Sequence, residues 1–78
     1  MYELEFRNNL SGRRFGECLQ KSREAAEKFA IELLTELGED ETSARWAVET
    51  ASSNWANASS PGYAVRIVAE HAGTDVDD

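Results

Sequence analysis

The sequence predicts a small α+β domain in which two antiparallel helices pack on one face of a three-stranded sheet, in the order ββααβ. Three observations predict this fold. Apolar and charged residues alternate near the amino terminus, two later segments have helical spacing of apolar residues, and a second alternating run follows a Ser-Ser-Pro-Gly turn. The 78 residues suffice for one domain with a small core, which we assign to residues 1–72, followed by an acidic tail at residues 73–78.

The first two strands are predicted to form a hairpin. Residues 2–7 alternate apolar and charged side chains, and residues 8–12, Asn-Asn-Leu-Ser-Gly, have the composition of a turn. A second strand is expected at residues 13–20. Gly16 and Glu17 interrupt its alternation, which indicates a bulge or an edge strand. We therefore expect the first strand in the centre of the sheet.

A first helix is predicted from an N-cap at Ser22, with Glu24 in its first turn, to Leu37. Gly38 follows as the residue that ends it. The spacing places Ile31 outside the core face. The residues on that face are Ala26, Phe29, Ala30, Leu33, Leu34 and Leu37.

A second helix is predicted over residues 40–58. Asp40 is its expected cap, and Pro61 requires the helix to end before it. Its apolar stripe consists of Ala44, Ala47, Val48, Ala51, Trp55 and Ala58. We expect Trp55 in the core together with Phe29, Leu33 and Phe6.

The third strand is predicted at residues 63–69, with alternate side chains on opposite faces. The face beneath the helices is expected to hold Tyr2, Leu4, Phe6, Phe15, Leu19, Val65 and Ile67. The face open to water is expected to hold Glu3, Glu5, Arg7, Arg14, Cys18, Gln20, Arg66 and Glu70.

Composition argues for a binding protein that is not an enzyme. The single cysteine, Cys18, and the single histidine, His71, form a candidate dyad, but a structural cysteine and a surface histidine are the stronger interpretation. Residues 39–41, Glu-Asp-Glu, suit a helix cap better than a metal site. No glycine pattern indicates a phosphate loop. We expect no metal and no cofactor.

The net charge of −7 argues against general binding to nucleic acid, because that affinity depends on neutralising phosphates. An acidic body suits a basic protein surface, although acidity that serves only solubility explains the charge equally well. No apolar run is long enough to span a membrane. With one cysteine and no signal-peptide pattern, we expect a cytoplasmic protein.

Trp46 is the most informative residue, because it points away from the apolar stripe of its own helix. Tryptophan is enriched at binding hot spots. The predicted partner-binding residues are Trp46, Glu49, Thr50, Ser53, Asn57, Glu39 and Glu41. The alternative is that Trp46 folds over a neighbouring helix or the sheet edge.

Two further surfaces are candidates. Arg7, Arg13 and Arg14 form a predicted basic patch at the hairpin, suited to phosphate or carboxylate groups, with a solvated loop as the competing interpretation. An exposed strand edge is available for pairing with another chain.

Residues 22–26, Ser-Arg-Glu-Ala-Ala, begin a helix after a short hairpin, and in this respect the chain resembles small anti-CRISPR inhibitors encoded by phages and mobile elements. The resemblance lies in size, acidity and element order. The chain is similar also to antitoxin-type proteins of the HicB kind. Either resemblance implies an inhibitor that occludes a basic, nucleic-acid-binding surface of a larger protein or ribonucleoprotein. The alternative from another class is a homodimeric accessory module that buries Trp46 against its own copy.

Overall fold

The computed structural model describes residues 1–59 and 62–69 and shows an α+β domain with two helices and four strands. The elements are, in chain order, β1 (Tyr2–Asn8), β2 (Arg14–Gln20), α1 (Arg23–Glu36), α2 (Glu41–Thr50), β3 (Ala56–Asn57) and β4 (Tyr63–Ala69). The strands form one antiparallel sheet in the order β2-β1-β4-β3. The element order is therefore ββααββ, and the prediction of three strands is wrong. The predicted central position of β1 is confirmed.

The helix boundaries follow the predicted caps at three of four ends. The Ser22 hydroxyl accepts a hydrogen bond from the Ala25 backbone N–H at 3.1 Å, and the Asp40 carboxylate accepts one from Thr42 at 3.0 Å. Gly38, with φ of +106°, follows the end of α1 in the left-handed conformation that glycine favours. These caps are local interactions, which is why the sequence predicted them.

The fourth end was predicted wrongly, because α2 stops at Thr50 and does not reach Ala58. Ala51 is extended, with ψ of 141°, and residues 52–54, Ser-Ser-Asn, form a turn. Such residues compete with the helix by bonding to nearby backbone, as the Asn54 N–H does with the Ser52 hydroxyl at 3.2 Å. The chain then runs along β4 as the short edge strand β3.

Arg23 stabilises this early end of α2 from the start of α1. Its guanidinium donates to the backbone carbonyls of Val48 and Ala51, both at 3.0 Å, and to the Glu27 carboxylate at 2.8 Å. The last carbonyls of a helix have no partners within the helix, so a cation placed there satisfies them and complements the helix dipole.

A bulge in β2 determines which of its side chains face the helices. Phe6 pairs with Phe15 and Leu4 with Cys18, so one residue of β1 lies opposite two of β2. Gly16 occupies the bulge with φ of +70°, and a Cβ there would come within 2.8 Å of the Phe6 ring. The predicted bulge and edge position are confirmed.

The bulge reverses the alternation that the sequence analysis extended through β2, since one extra residue moves every later side chain to the other face. Cys18 and Gln20, predicted on the open face, lie on the helix side opposite Leu4 and Tyr2. Leu19, predicted beneath the helices, lies on the open face and is 57% exposed.

The core lies between the helices and the inner face of the sheet and is rich in alanine. Phe6 is fully buried as predicted, and Leu33 and Ile31 pack partly buried against the core, Ile31 contrary to prediction. Phe29 is 36% exposed and Trp55 lies on the other side of the sheet, so both core predictions are wrong. The buried cluster is Leu4, Phe6, Ala26, Ala30, Leu34, Ala44, Ala47, Val48, Ala51, Ala56, Val65 and Ile67.

Some predictions fall outside the described residues. They concern Pro61, Glu70, His71 and the tail at residues 73–78.

Candidate functional site

Trp46 lies on the exposed side of α2 and is 58% exposed, as predicted. The buried residues of α2 are Ala44, Ala47 and Val48, so the helix turns its small side chains to the core and its tryptophan to solvent. The indole therefore does not fold over a neighbouring element. Tryptophan is one of the residue types enriched at binding hot spots.

Only part of the predicted partner-binding set gathers around Trp46. Glu41, Glu49 and Thr50 are exposed residues of the same helix, and the Thr50 hydroxyl donates to the Trp46 carbonyl at 2.9 Å. Ser53 is exposed in the turn that follows α2.

Two residues of the set have structural contacts elsewhere. Asn57 lies on β3, where its side-chain oxygen accepts a hydrogen bond from Asn9 at 3.0 Å. Glu39 accepts from the Ser59 hydroxyl at 2.9 Å and from the Tyr63 backbone N–H at 2.8 Å. Glu39 thereby ties the connection between the helices to the start of β4.

An open groove of about 550 Å³ runs between α1 and α2. On its α2 side, Arg45 pairs with Glu41 one turn earlier at 2.7 Å, and this hydrogen bond and the charge of Glu41 raise the pKa of Arg45 above its usual value. The lining residues are Glu24, Glu27, Lys28, Ile31, Glu32, Thr35, Glu41 and Arg45. Carboxylates outnumber cations along this groove.

Charge is divided between the two layers of the fold. Residues 23–50, which we call the helical layer, contain eight acidic and three basic side chains, for a net charge of −5. Residues 1–22 and 62–69, which hold β1, β2 and β4, contain three acidic and five basic side chains, for a net charge of +2. Each layer therefore suits a partner surface of different charge.

The face of the sheet that points away from the helices, the outer face, holds a cluster of charged residues that were predicted there and of Trp55, which was not. The Cζ atom of Arg7 lies 4.8 Å from the ring centre of Trp55, and that of Arg66 lies 5.3 Å from it. At these distances a guanidinium is attracted to the aromatic ring. Trp55 reaches this face because α2 has already ended and the chain has become extended.

Glu5 fixes the same cluster from the centre of the sheet. Its carboxylate lies 2.6 Å from Arg66 and 3.7 Å from Arg14, and its side chain is only 14% exposed. The Arg66 Nε is buried and has no hydrogen-bond partner among the described residues. The outer face was predicted to be open to water. It instead holds a cluster of three guanidinium groups, one carboxylate and one indole.

The predicted basic patch at the hairpin is part of this cluster. Arg7 and Arg14 are paired residues of β1 and β2, and Arg13 is exposed in the adjoining turn. The sequence contained one signal for Trp55, the member of the cluster that was not predicted. That signal is the Ser-Ser-Asn segment at residues 52–54. Read as the end of the helix, that segment places Trp55 on an extended chain beside β4.

Within residues 1–59 and 62–69, no group of three or more histidine, cysteine, aspartate or glutamate side chains has the arrangement to hold a metal ion. The helices described by the structure are too short and too polar to cross a membrane. No protein-family model, no curated protein and no solved structure matches this chain.

Proposed function

We propose that this domain is a non-enzymatic inhibitor that binds a basic, nucleic-acid-binding surface of a larger protein through its helical layer. The observation that carries the proposal is the exposure of Trp46, 58%, on a layer with a net charge of −5. An exposed indole supplies apolar contact area, while the surrounding carboxylates match the cations with which a protein holds phosphates.

Inhibition follows from occupancy of the surface. A partner that binds nucleic acid with lysine and arginine side chains cannot place them on phosphates while they face carboxylates of the helical layer. Glu49 lies one turn after Trp46 on α2, Glu41 begins the same helix, and both are exposed. The resemblance of the sequence to small inhibitors adds that this partner belongs to a defence or toxin complex.

A symmetric dimer through Trp46 is the competing function, and the charge distribution argues against it. Two copies related by a twofold axis would place one helical layer, with net charge −5, against another. Like charges that face each other across an interface cost several kcal/mol. We therefore expect the isolated protein to be a monomer of 8.7 kDa.

The test is affinity purification from the native host with three tagged forms: wild type, Trp46→Ala and Leu10→Ala. Leu10 is 82% exposed in the hairpin turn, so its variant is a matched control that removes an exposed apolar side chain from another place. We expect a protein that wild type and Leu10→Ala retain, that Trp46→Ala loses, and that no longer binds its nucleic acid when the domain is bound.

Retention that is equal for all three forms would contradict the role of Trp46. A mass twice 8.7 kDa that returns to 8.7 kDa in Trp46→Ala would favour the dimer instead.

A further inference from the structure

We propose that the outer face of the sheet is a second docking surface, which binds an acidic segment of a partner protein at Arg7 and Arg14. This surface is separate from the helical layer, and the inference does not depend on the function proposed for that layer. It rests on the charge balance, the fixed geometry and the arrangement of side chains across the sheet.

At the Arg7 and Arg14 end of this face, the charge balance leaves a guanidinium without a carboxylate. Arg14 and Arg66 share the carboxylate of Glu5, while Arg7 lies against the Trp55 ring. Within the described part of the chain, Arg7 has no ion pair, and its Nε donates to the neutral side-chain oxygen of Asn9 at 3.2 Å. Guanidinium groups favour planar carboxylate partners, with which they form two parallel hydrogen bonds.

The cluster is held in place before any partner arrives. The Trp55 ring contacts Arg7 and Arg66, and Glu5 holds Arg66 at 2.6 Å. Side chains that are already ordered lose little conformational freedom on binding, so a preorganised surface binds more tightly than a flexible one.

Three rows of side chains cross this face. Leu19, Glu3 and Val68 form the first row, and Glu5 and Arg66 belong to the second. Arg14 and Arg7 begin the third row, which continues through Ala64 to Asn57. Residues 3 and 7 of β1 are separated by four steps of about 3.3 Å, so the first and third rows lie about 13 Å apart.

This arrangement suits an extended peptide. An apolar side chain of the peptide would contact Leu19, which is 57% exposed on β2. A carboxylate about four residues away along the peptide would then reach Arg7 and Arg14.

A nucleic acid fits this surface less well. Glu3 lies in the first row, and a continuous row of phosphates would meet its carboxylate after leaving the arginines. The helical layer adds a net charge of −5 within the same small molecule, and this repels a polyanion. A peptide with one or two carboxylates meets the arginines without extending its charge over the rest of the face.

The experiment is a selection from a displayed library of random 12-residue peptides on the intact domain. The matched variants are Arg7→Gln/Arg14→Gln on the outer face and Arg45→Gln on the helical layer. We expect selected peptides to be enriched in aspartate and glutamate, with an apolar residue about four positions from the acid. Peptides without this enrichment would overturn the proposal.

Binding is then measured with one resynthesised peptide in a Trp46→Phe background, where Trp55 is the only indole. We expect its fluorescence to change saturably, with a Kd at least tenfold weaker in Arg7→Gln/Arg14→Gln and changed less than twofold in Arg45→Gln. Equal affinity for all three forms would overturn the proposal.

A second variant and a nucleic-acid probe complete the experiment. If a thermal melt shows that the double variant does not fold, Arg14→Gln alone replaces it, because that side chain is 59% exposed. Single-stranded (dT)12 is the nucleic-acid probe. Binding of (dT)12 that exceeds peptide binding and requires Arg7 and Arg14 would overturn the proposal and assign this face to nucleic acid.

Discussion

The two tryptophans of this domain lie in opposite electrostatic surroundings. Trp46 is 58% exposed on an acidic helical layer, with Glu49 in the next turn. Trp55 is half-buried on the outer face of the sheet, where two guanidinium groups contact its ring. One indole is available for new contacts, and the other is already engaged within the domain.

This difference shows how one residue type serves two purposes on a small domain. Exposed side chains around Trp46 match a partner by charge and apolar area, so the helical layer suits a broad basic surface. The groups around Trp55 hold one another in position, so the outer face suits a narrow recognition of carboxylate groups. The comparison depends on two features of the backbone, the bulge in β2 and the early end of α2, and the following predictions test them.

The largest expected effect is that of Gly16→Ala, which tests the bulge. A left-handed φ costs an L-residue about 1–2 kcal/mol, and the new Cβ would press on the Phe6 ring. We expect the free energy of unfolding to fall by about 2–4 kcal/mol, measured by urea denaturation. Gly12→Ala is the matched control, since Gly12 has φ of +77° but a Cβ added there would have nothing within 4 Å. Equal losses in the two variants would show that Gly16 does not approach Phe6.

Arg23→Gln tests the early end of α2. The substitution removes the charge that two backbone carbonyls share, and a charged hydrogen bond contributes about 1.5–3 kcal/mol. We expect a loss of about 2 kcal/mol in the same measurement. Arg45→Gln, which breaks only an exposed pair with Glu41, should cost much less, because solvent screens that pair. A loss for Arg23→Gln as small as that for Arg45→Gln would mean that Arg23 does not cap the helix.

Trp55→Ala and Trp46→Ala compare the two indoles directly. Each guanidinium–ring contact is worth about 0.5–1 kcal/mol at a partly exposed site, so Trp55→Ala should lower the free energy of unfolding by about 1–2 kcal/mol. Trp46→Ala should change it by no more than about 0.5 kcal/mol, because the side chain is mostly exposed. Thermal melts of both variants measure the difference. A larger loss for Trp46→Ala would reverse the assignment.

The smallest effect is electrostatic and is measured by fluorescence quenching of Trp46→Phe and Trp55→Phe. Arginines around Trp55 attract iodide, and carboxylates around Trp46 repel it, whereas acrylamide is neutral. We expect the ratio of iodide to acrylamide quenching to be higher for Trp55 than for Trp46. In 1 M chloride, where the Debye length is about 3 Å, the two ratios should converge. Ratios that are equal at low salt would contradict the charge difference between the two faces.

The sequence by itself determined the features that depend on neighbouring residues. The caps at Ser22 and Asp40 and the end of α1 at Gly38 follow from hydrogen bonds and backbone preferences over a few positions. The exposure of Trp46 followed from the period of its helix. The alternation in β1 and β4 placed Glu5, Arg7 and Arg66 on one face.

Only the tertiary structure determined how the helices and strands contact one another. Arg23 binds carbonyls 25 and 28 residues away, and this contact favours an end of α2 at Thr50 over the longer helix that the apolar spacing also permits. The end of α2 released Trp55 to the outer face, and the bulge at Gly16 moved Leu19 there as well. Both outcomes depend on contacts between segments far apart in the chain, whose energies are not contained in local periodicity.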